Sequence, residues 1–216
     1  QPVISGNGKV VAYLGSTATG DQYNPYKSEI YIIDKTETGW GTPYPLPTSH
    51  SRHDYRVDLS YDGNTVVYTY ASANIFVDTP LLFVSRRISG TWGAPVQISD
   101  GSGGAYGPSI SADGTKLAWM QNNSLVYSEY NGVAWTTPRW LVKWKTTSTG
   151  TETGEEDVQH VKISPDGSTI TYLLLTVKNS IMVAQDVYVV KRTATGWSDP
   201  VKISPAPVIP TSTYDS

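Results

Sequence analysis

The sequence predicts an all-β chain, and three observations predict it. Fifteen tyrosines and seven tryptophans stand against two phenylalanines in 216 residues, in short apolar segments punctuated by Gly, Pro, Ser and Thr, as strands and turns are. The chain also matches itself four times, and each copy carries an Asp-Gly or Asn-Gly turn at the same place.

The copies open with "ISGNGKVVAY" (4–13), "LSYDGNTVVY" (59–68), "ISADGTKLAW" (110–119) and "ISPDGSTITY" (163–172). Their turn glycines, Gly8, Gly63, Gly114 and Gly167, lie 55, 51 and 53 residues apart. Asn7, Asp62, Asp113 and Asp166 precede them and read as turn formers, because repetition at one structural place argues against catalysis. The spacing predicts two antiparallel strands joined by a two-residue hairpin with positive φ angles.

In the second strand of each unit Val11, Val66, Leu117 and Ile170 share a face with Tyr13, Tyr68, Trp119 and Tyr172. Ala12, Val67, Ala118 and Thr171 take the other face. Both faces are largely apolar, so each sheet is expected to be covered on both sides. A third strand follows in "EIYIID", "LLFVSR", "LVYSEY" and "DVYVVK". A hairpin then leads to "GWGTP" (39–43), "TWGAP" (91–95), "AWTTP" (134–138) and "GWSDP" (196–200). The shared Trp-x-x-Pro reads as architectural, since proline is tolerated where an outer, edge strand begins. Four-stranded sheets stacked face to face around an axis are the blades of a β-propeller.

Serine-x-Asp-Gly, a strand closing on an aromatic, "DVYVV" and Trp-x-x-Pro together resemble the TolB-type, WD40-like β-propeller repeat over nearly the whole chain. Unit one departs by Asn7 and unit three by the short loop "QNNS". The resemblance implies a periplasmic, secreted or cell-surface module that binds proteins or glycans, although fold alone identifies no ligand.

We therefore expect one domain over 1–204, with blades at about 1–50, 51–102, 103–145 and 158–204, followed by a Pro/Ser/Thr-rich tail or linker, 205–216. Members of the family usually show six or more blades. Four blades admit a compact ring, part of a larger propeller, or a module whose open edges pair with other copies of itself. Gln1, in place of an initiator methionine, points to a processed form or a part of something longer.

Without cysteine there is no disulfide, zinc-thiolate site or cysteine nucleophile. A formal charge of −3 with scattered Lys and Arg argues against a nucleic-acid partner. The longest apolar runs, such as "YLLLTV" (172–177), are too short for a spanning helix, so membrane insertion is not expected. No cofactor is expected.

The stretch "SHSRHDYR" (49–56) holds two of the three histidines. Aligned on the repeat serine, it enters the innermost strand of unit two, and Gln1, Arg56, Gly107 and His160 become equivalent, each four residues before its serine. They should ring one mouth of the central channel, with His53, Asp54, Glu156 and Asp157 nearby, a set suited to an anionic sugar or a peptide terminus. A metal site at His50, His53 and His160 is a weaker alternative, because His-x-x-His on a loop needs a third ligand from another blade. Tyr23 and Tyr26, on the long polar loop 15–29, are candidate partner contacts, and 146–157 is a second such loop. Asn122 opens an Asn-x-Ser sequon at a hairpin tip, which matters only where the source glycosylates.

The functional expectation is a non-enzymatic extracytoplasmic module for binding a protein or glycan, or for assembly. A carbohydrate-active enzyme, a metal-assisted polysaccharide lyase or hydrolase, is the first alternative. It would draw on the histidines above or on Asp54, Asp58, Glu156 and Asp157. No Gly-x-Ser-x-Gly elbow is present for a serine hydrolase. A structural subunit polymerising through blade edges or the tail is the second alternative.

Overall fold

The computed structural model describes residues 2–18, 26–47, 54–70, 79–149 and 152–205. These form four antiparallel sheets, one for each sequence unit. The first contains β1 (Val3–Ile4), β2 (Val10–Ala18), β3 (Tyr26–Thr36), β4 (Gly39–Trp40) and β5 (Tyr44–Pro45). The second contains β6 (Asp54–Leu59), β7 (Thr65–Tyr70), β8 (Leu81–Ile88), β9 (Thr91–Trp92) and β10 (Val96–Gln97). The third contains β11 (Ala105–Ile110), β12 (Lys116–Gln121), β13 (Ser124–Glu129) and β14 (Arg139–Val142). The fourth contains β15 (Lys145–Thr149), β16 (Glu152–Ile163), β17 (Thr169–Lys178), β18 (Ile181–Thr193), β19 (Gly196–Trp197) and β20 (Val201–Lys202).

Each unit runs in the same order, first strand, second, third, outer, as in β6-β7-β8-β10. The expected four strands suffice only for the third sheet. The Trp-x-x-Pro hairpin adds a two-residue arm, β4, β9 or β19, in the other units, and unit three keeps it as a Tyr130–Trp135 bridge. Two expected loops are strands instead. Residues 15–18 and 26–29 extend the β2–β3 pair, so Tyr26 begins β3 opposite Ala18 rather than lying on a loop. Within 146–157, β15 folds back along β16, with Lys145 opposite Glu156.

The facing sides of neighbouring sheets are covered as the pattern requires. Val10, Ile30, Ile32 and Leu46 of unit one are buried against Val66, Tyr68 and Phe83 of unit two. Val67, Leu82 and Ile98 of unit two meet Leu117, Trp119 and Val126 of unit three. Ala118, Leu125 and Tyr127 of unit three meet Ile170, Tyr172 and Val190 of unit four. Each such aliphatic side chain contributes about 1.5–3 kcal/mol by leaving water. Along the axis β1 and β2 pack on β6, β6 on β11, and β11 on β16. The turns are also strung together: Asn7 N–H donates to the Tyr61 carbonyl (2.9 Å), Tyr61 N–H to Ala112 (2.9 Å) and Ala112 N–H to Pro165 (2.8 Å). Pro165, having no N–H, cannot pass this chain onward.

The repeated turn is built differently from the two-residue hairpin expected. Only its glycine takes a positive φ, +66°, +74°, +68° and +69° at Gly8, Gly63, Gly114 and Gly167. The serine hydroxyl donates to the turn carboxylate or amide oxygen, Ser60–Asp62 at 2.6 Å and Ser5–Asn7 at 2.8 Å, and accepts the N–H five residues on. The same Asp oxygen accepts the N–H two residues on, as in Asn64 to Asp62 at 2.9 Å. These bonds, led by that from Ser164, hold the Asp166 carboxyl at about 2. The aspartates are turn formers, as the repetition implied. True two-residue turns with both φ positive occur at Asn122–Asn123 and Asn179–Ser180.

Gly63 has a second duty, because a Cβ there would lie 2.7 Å from Val10 Cβ and closer still to its Cγ2, while Gly8 faces open space. Gly63→Ala is therefore expected to cost about 2–3 kcal/mol and Gly8→Ala about 1 kcal/mol in chemical denaturation. Equal costs would contradict the packing at the first seam.

Each seam carries a polar clasp from one unit's third strand to that of the unit before it. Arg87 forks onto Asp34 (2.8 and 3.1 Å), with Tyr44 OH donating to the same carboxylate (2.6 Å) and Trp92 lying under the guanidinium (4.5 Å). Tyr130 lies under Arg86 (4.2 Å). Arg192 pairs with Glu129 and donates to Tyr127 OH (2.7 Å).

Candidate functional site

The first strands of the units bring Arg56, Gly107 and His160 to one place, as their alignment implied. β11 and β16 bulge at the same position, between Tyr106 and Ser109 and between Gln159 and Lys162. The bulge puts Gly107 at φ +55° and His160 at φ +50°. A bulge re-aims the side chain it carries, and left-handed backbone is uncommon for a residue with a Cβ. β6 shifts register one residue earlier, between Asp54 and Arg56.

Around these bulges lies an axial cavity of about 480 Å³, lined by residues from all four units. Unit one gives Val3, unit two Arg56 and Val57, unit three Tyr106 to Pro108 and Met120, and unit four Gln159, His160, Val161 and Lys162. Its ionisable lining residues are Arg56, Tyr106, His160 and Lys162, with no Asp or Glu among the described lining residues. A larger, apolar groove of about 600 Å³ opens at the outer rim between units two and three. Arg86, the one cation among its described lining residues, is already engaged by Tyr130 and the Gly114 carbonyl.

Several expected members of the site stand elsewhere. Asp157 does not line the cavity: it lies in β16 and accepts from Gln159 Nε2 (3.0 Å). Glu156 faces Lys145 (3.9 Å) on the β15–β16 hairpin. Asp54 begins β6. Gln1, Tyr23, His50 and His53 lie outside the described residues. Among the described residues no three of His, Cys, Asp and Glu gather as a metal site. Asn122 sits at an exposed hairpin tip, with its side-chain amide donating to the Ser102 carbonyl (3.1 Å). The sequence reading missed Tyr106, Met120 and Lys162. The first stands next to aligned Gly107 and the last occupies the position of Asp58, so the same alignment contained both.

Asp58, weighed as a catalytic carboxylate, fastens two first strands together. It accepts Ile110 N–H of unit three (3.2 Å) and its neighbour Leu59 N–H (3.0 Å). Ser109, at the matching position, accepts Ile163 N–H of unit four (3.3 Å). Burial pushes the Asp58 carboxyl up, against the Lys162 charge and these hydrogen bonds. Because its folded value lies above the unfolded one, its stabilising contribution is present below the ordinary 3.8 and is lost as pH rises through the folded value. Asp58→Asn should accordingly gain stability relative to the wild-type chain as pH rises from 3.8 through the folded value. A constant difference in urea melts across the range would contradict it.

TolB from Acinetobacter baumannii superposes on this chain with a TM-score of 0.50 and 18% identity, over 93% of this chain and 45% of its own. Putative TolB from Agrobacterium tumefaciens does so at 0.55 and 19%, over 93% and 63%. The fold is that of a TolB-type β-propeller. A structure of two prolyl endopeptidases also matches, at 0.56 and 15%, over 96% of this chain and 29% of that one. At such identities the likeness is one of fold alone, and this propeller chain spans less than two thirds of either TolB chain. No family model matches the sequence, and no curated protein does. The cavity lies where the first strands of the four units converge.

Proposed function

We propose that this propeller is a non-enzymatic, extracytoplasmic binding module that holds an anionic group of a glycan or protein partner at its axial mouth. The observation that carries the reading is the cavity where Arg56, His160 and Lys162 converge with no lining carboxylate among the described residues. A guanidinium meets a carboxylate with two parallel donors, and Tyr106, 40% exposed beside it, offers a ring face to a sugar. Extracytoplasmic placement rests on the TolB-type resemblance.

Calorimetric titration with an oligogalacturonate, a neutral cello-oligosaccharide and a peptide with a free terminal carboxylate tests the reading. At least one anionic ligand is expected to bind, more weakly as salt rises, and Arg56→Ala to weaken it about tenfold or more, the worth of a charge-assisted hydrogen bond. Equal affinity for the neutral sugar, no binding of either anion, or an unaffected Arg56→Ala would each overturn it.

A further inference from the structure

The axial cavity holds one side-chain acceptor among its donors, and that exception says what its occupant carries. Gln159 lines the cavity from β16, immediately before the bulge at His160. Its Nε2 donates to Asp157 Oδ2 (3.0 Å). Among the described residues this is the one hydrogen bond to that carboxylate, whose Oδ1 is buried and unpaired. A carboxylate only accepts, so a flipped Gln159 amide would set oxygen against oxygen. The amide is therefore fixed with Oε1 left for the cavity, and Oε1 has no partner among the described residues.

Around this acceptor stand groups of two other kinds. Arg56, His160 and Lys162 suit a carboxylate. The Lys162 charge already acts on buried Asp58, whereas Arg56 has no carboxylate partner among the described residues and is the main anchor. Val3, Val57, Met120 and Val161 make much of the remaining wall apolar. A uronic acid would set hydroxyls against these side chains, where they find no hydrogen-bond partner. The end of a polypeptide instead carries all three complements on one carbon: a carboxylate, a backbone N–H and a side chain. A cavity of about 480 Å³ suits such an end.

We propose that the axial cavity captures the free C-terminus of a partner polypeptide ending in an apolar residue, with Gln159 reading its last backbone N–H. This rests on the anion-binding reading above and narrows it to one class of partner. The terminal carboxylate lies against Arg56, the last N–H donates to Gln159 Oε1, and the last side chain packs on Val57, Met120 and Val161.

Calorimetry with short peptides of one shared sequence tests the proposal. They are a peptide ending in leucine with a free carboxylate, its C-terminal amide, a version ending in serine, and a depsipeptide with an ester oxygen in place of the last N–H. Relative to the leucine peptide, the amide should bind about tenfold or more weaker, the serine peptide about tenfold weaker and the ester about fivefold weaker. In Gln159→Met, of similar shape, the leucine peptide and its ester should bind alike, whereas a purely structural role for Gln159 would keep their ratio. If that variant does not fold by circular dichroism, the ester comparison on the wild-type chain decides. An ester bound as tightly as the leucine peptide would overturn the role of Gln159, and a serine peptide bound as tightly would overturn the apolar end. If an oligogalacturonate binds through Arg56 and no free C-terminus does, the proposal falls and the anion reading stands; if neither binds, both fall.

Discussion

Trp119→Ala is expected to lower the unfolding free energy by about 3–5 kcal/mol, the range for removing a large aromatic from a core. Trp119 closes the second strand of unit three and is fully buried among Leu82, Val84 and Val126, so its loss opens a void across the seam between units two and three. Its indole N–H also donates to Gln121 Oε1 (3.0 Å), and Gln121 Nε2 reaches Asp100 (2.5 Å) and Ser102 (3.2 Å). Trp119→Phe fills most of the space and leaves that amide oxygen without its donor, at about 1–2 kcal/mol. Trp40→Ala, at the exposed equivalent of the hairpin tryptophans, should cost under about 1 kcal/mol. Guanidinium melts monitored by far-ultraviolet circular dichroism check all three. A Trp119→Ala cost no larger than that of Trp40→Ala would contradict the packing of the seam.

Arg87→Ala should cost about 2–3 kcal/mol, more than an exposed ion pair and less than a fully buried one. Two parallel hydrogen bonds to Asp34, one to Tyr44 OH (2.7 Å) and the ring of Trp92 are lost together. Burial raises the Asp34 carboxyl, but hydrogen bonds from Arg87 and Tyr44 and the Arg87 charge outweigh it, so the net shift is downward. That contribution is present above the unfolded value and lost as pH falls through the folded one. The variant's deficit should therefore shrink on acidification. Arg87→Lys keeps the charge without the fork and should recover only part of the loss. A cost under about 0.5 kcal/mol for Arg87→Ala, the level of an ordinary surface pair, would show that the clasp does not hold the seam.

The fold was legible because one serine and one glycine per unit pin the frame. With that frame, Arg56, Gly107 and His160 fall into register without any knowledge of the third dimension. Apolar residues on both faces of the second strand likewise announced sheets covered from both sides. The extended arms were not legible. "TTSTGTETGEED" carries no apolar alternation to announce a strand, yet β15 pairs with β16 along it, from Lys145–Glu156 to Thr149–Glu152. The bulges were hidden too: Gly107 is a plausible bulge residue, but nothing about His160 signals left-handed backbone. The clasps draw one residue from each of two units, such as Asp34 and Arg87, and no local pattern links such residues. Asp157 stands one step back from the mouth, behind Gln159, which lines the cavity and donates to the Asp157 carboxylate.

The central claim is that the axial mouth, and not the outer groove between units two and three, receives an anion. The most direct measurement is an NMR titration of the wild-type propeller with the tightest anionic ligand of the panel, following assigned backbone amides and the His160 ring. The predicted result is saturable change at Tyr106, His160 and Lys162 with Val133 and Trp135 unmoved. Change confined to Val133 and Trp135, or none at His160 on saturation, would contradict it.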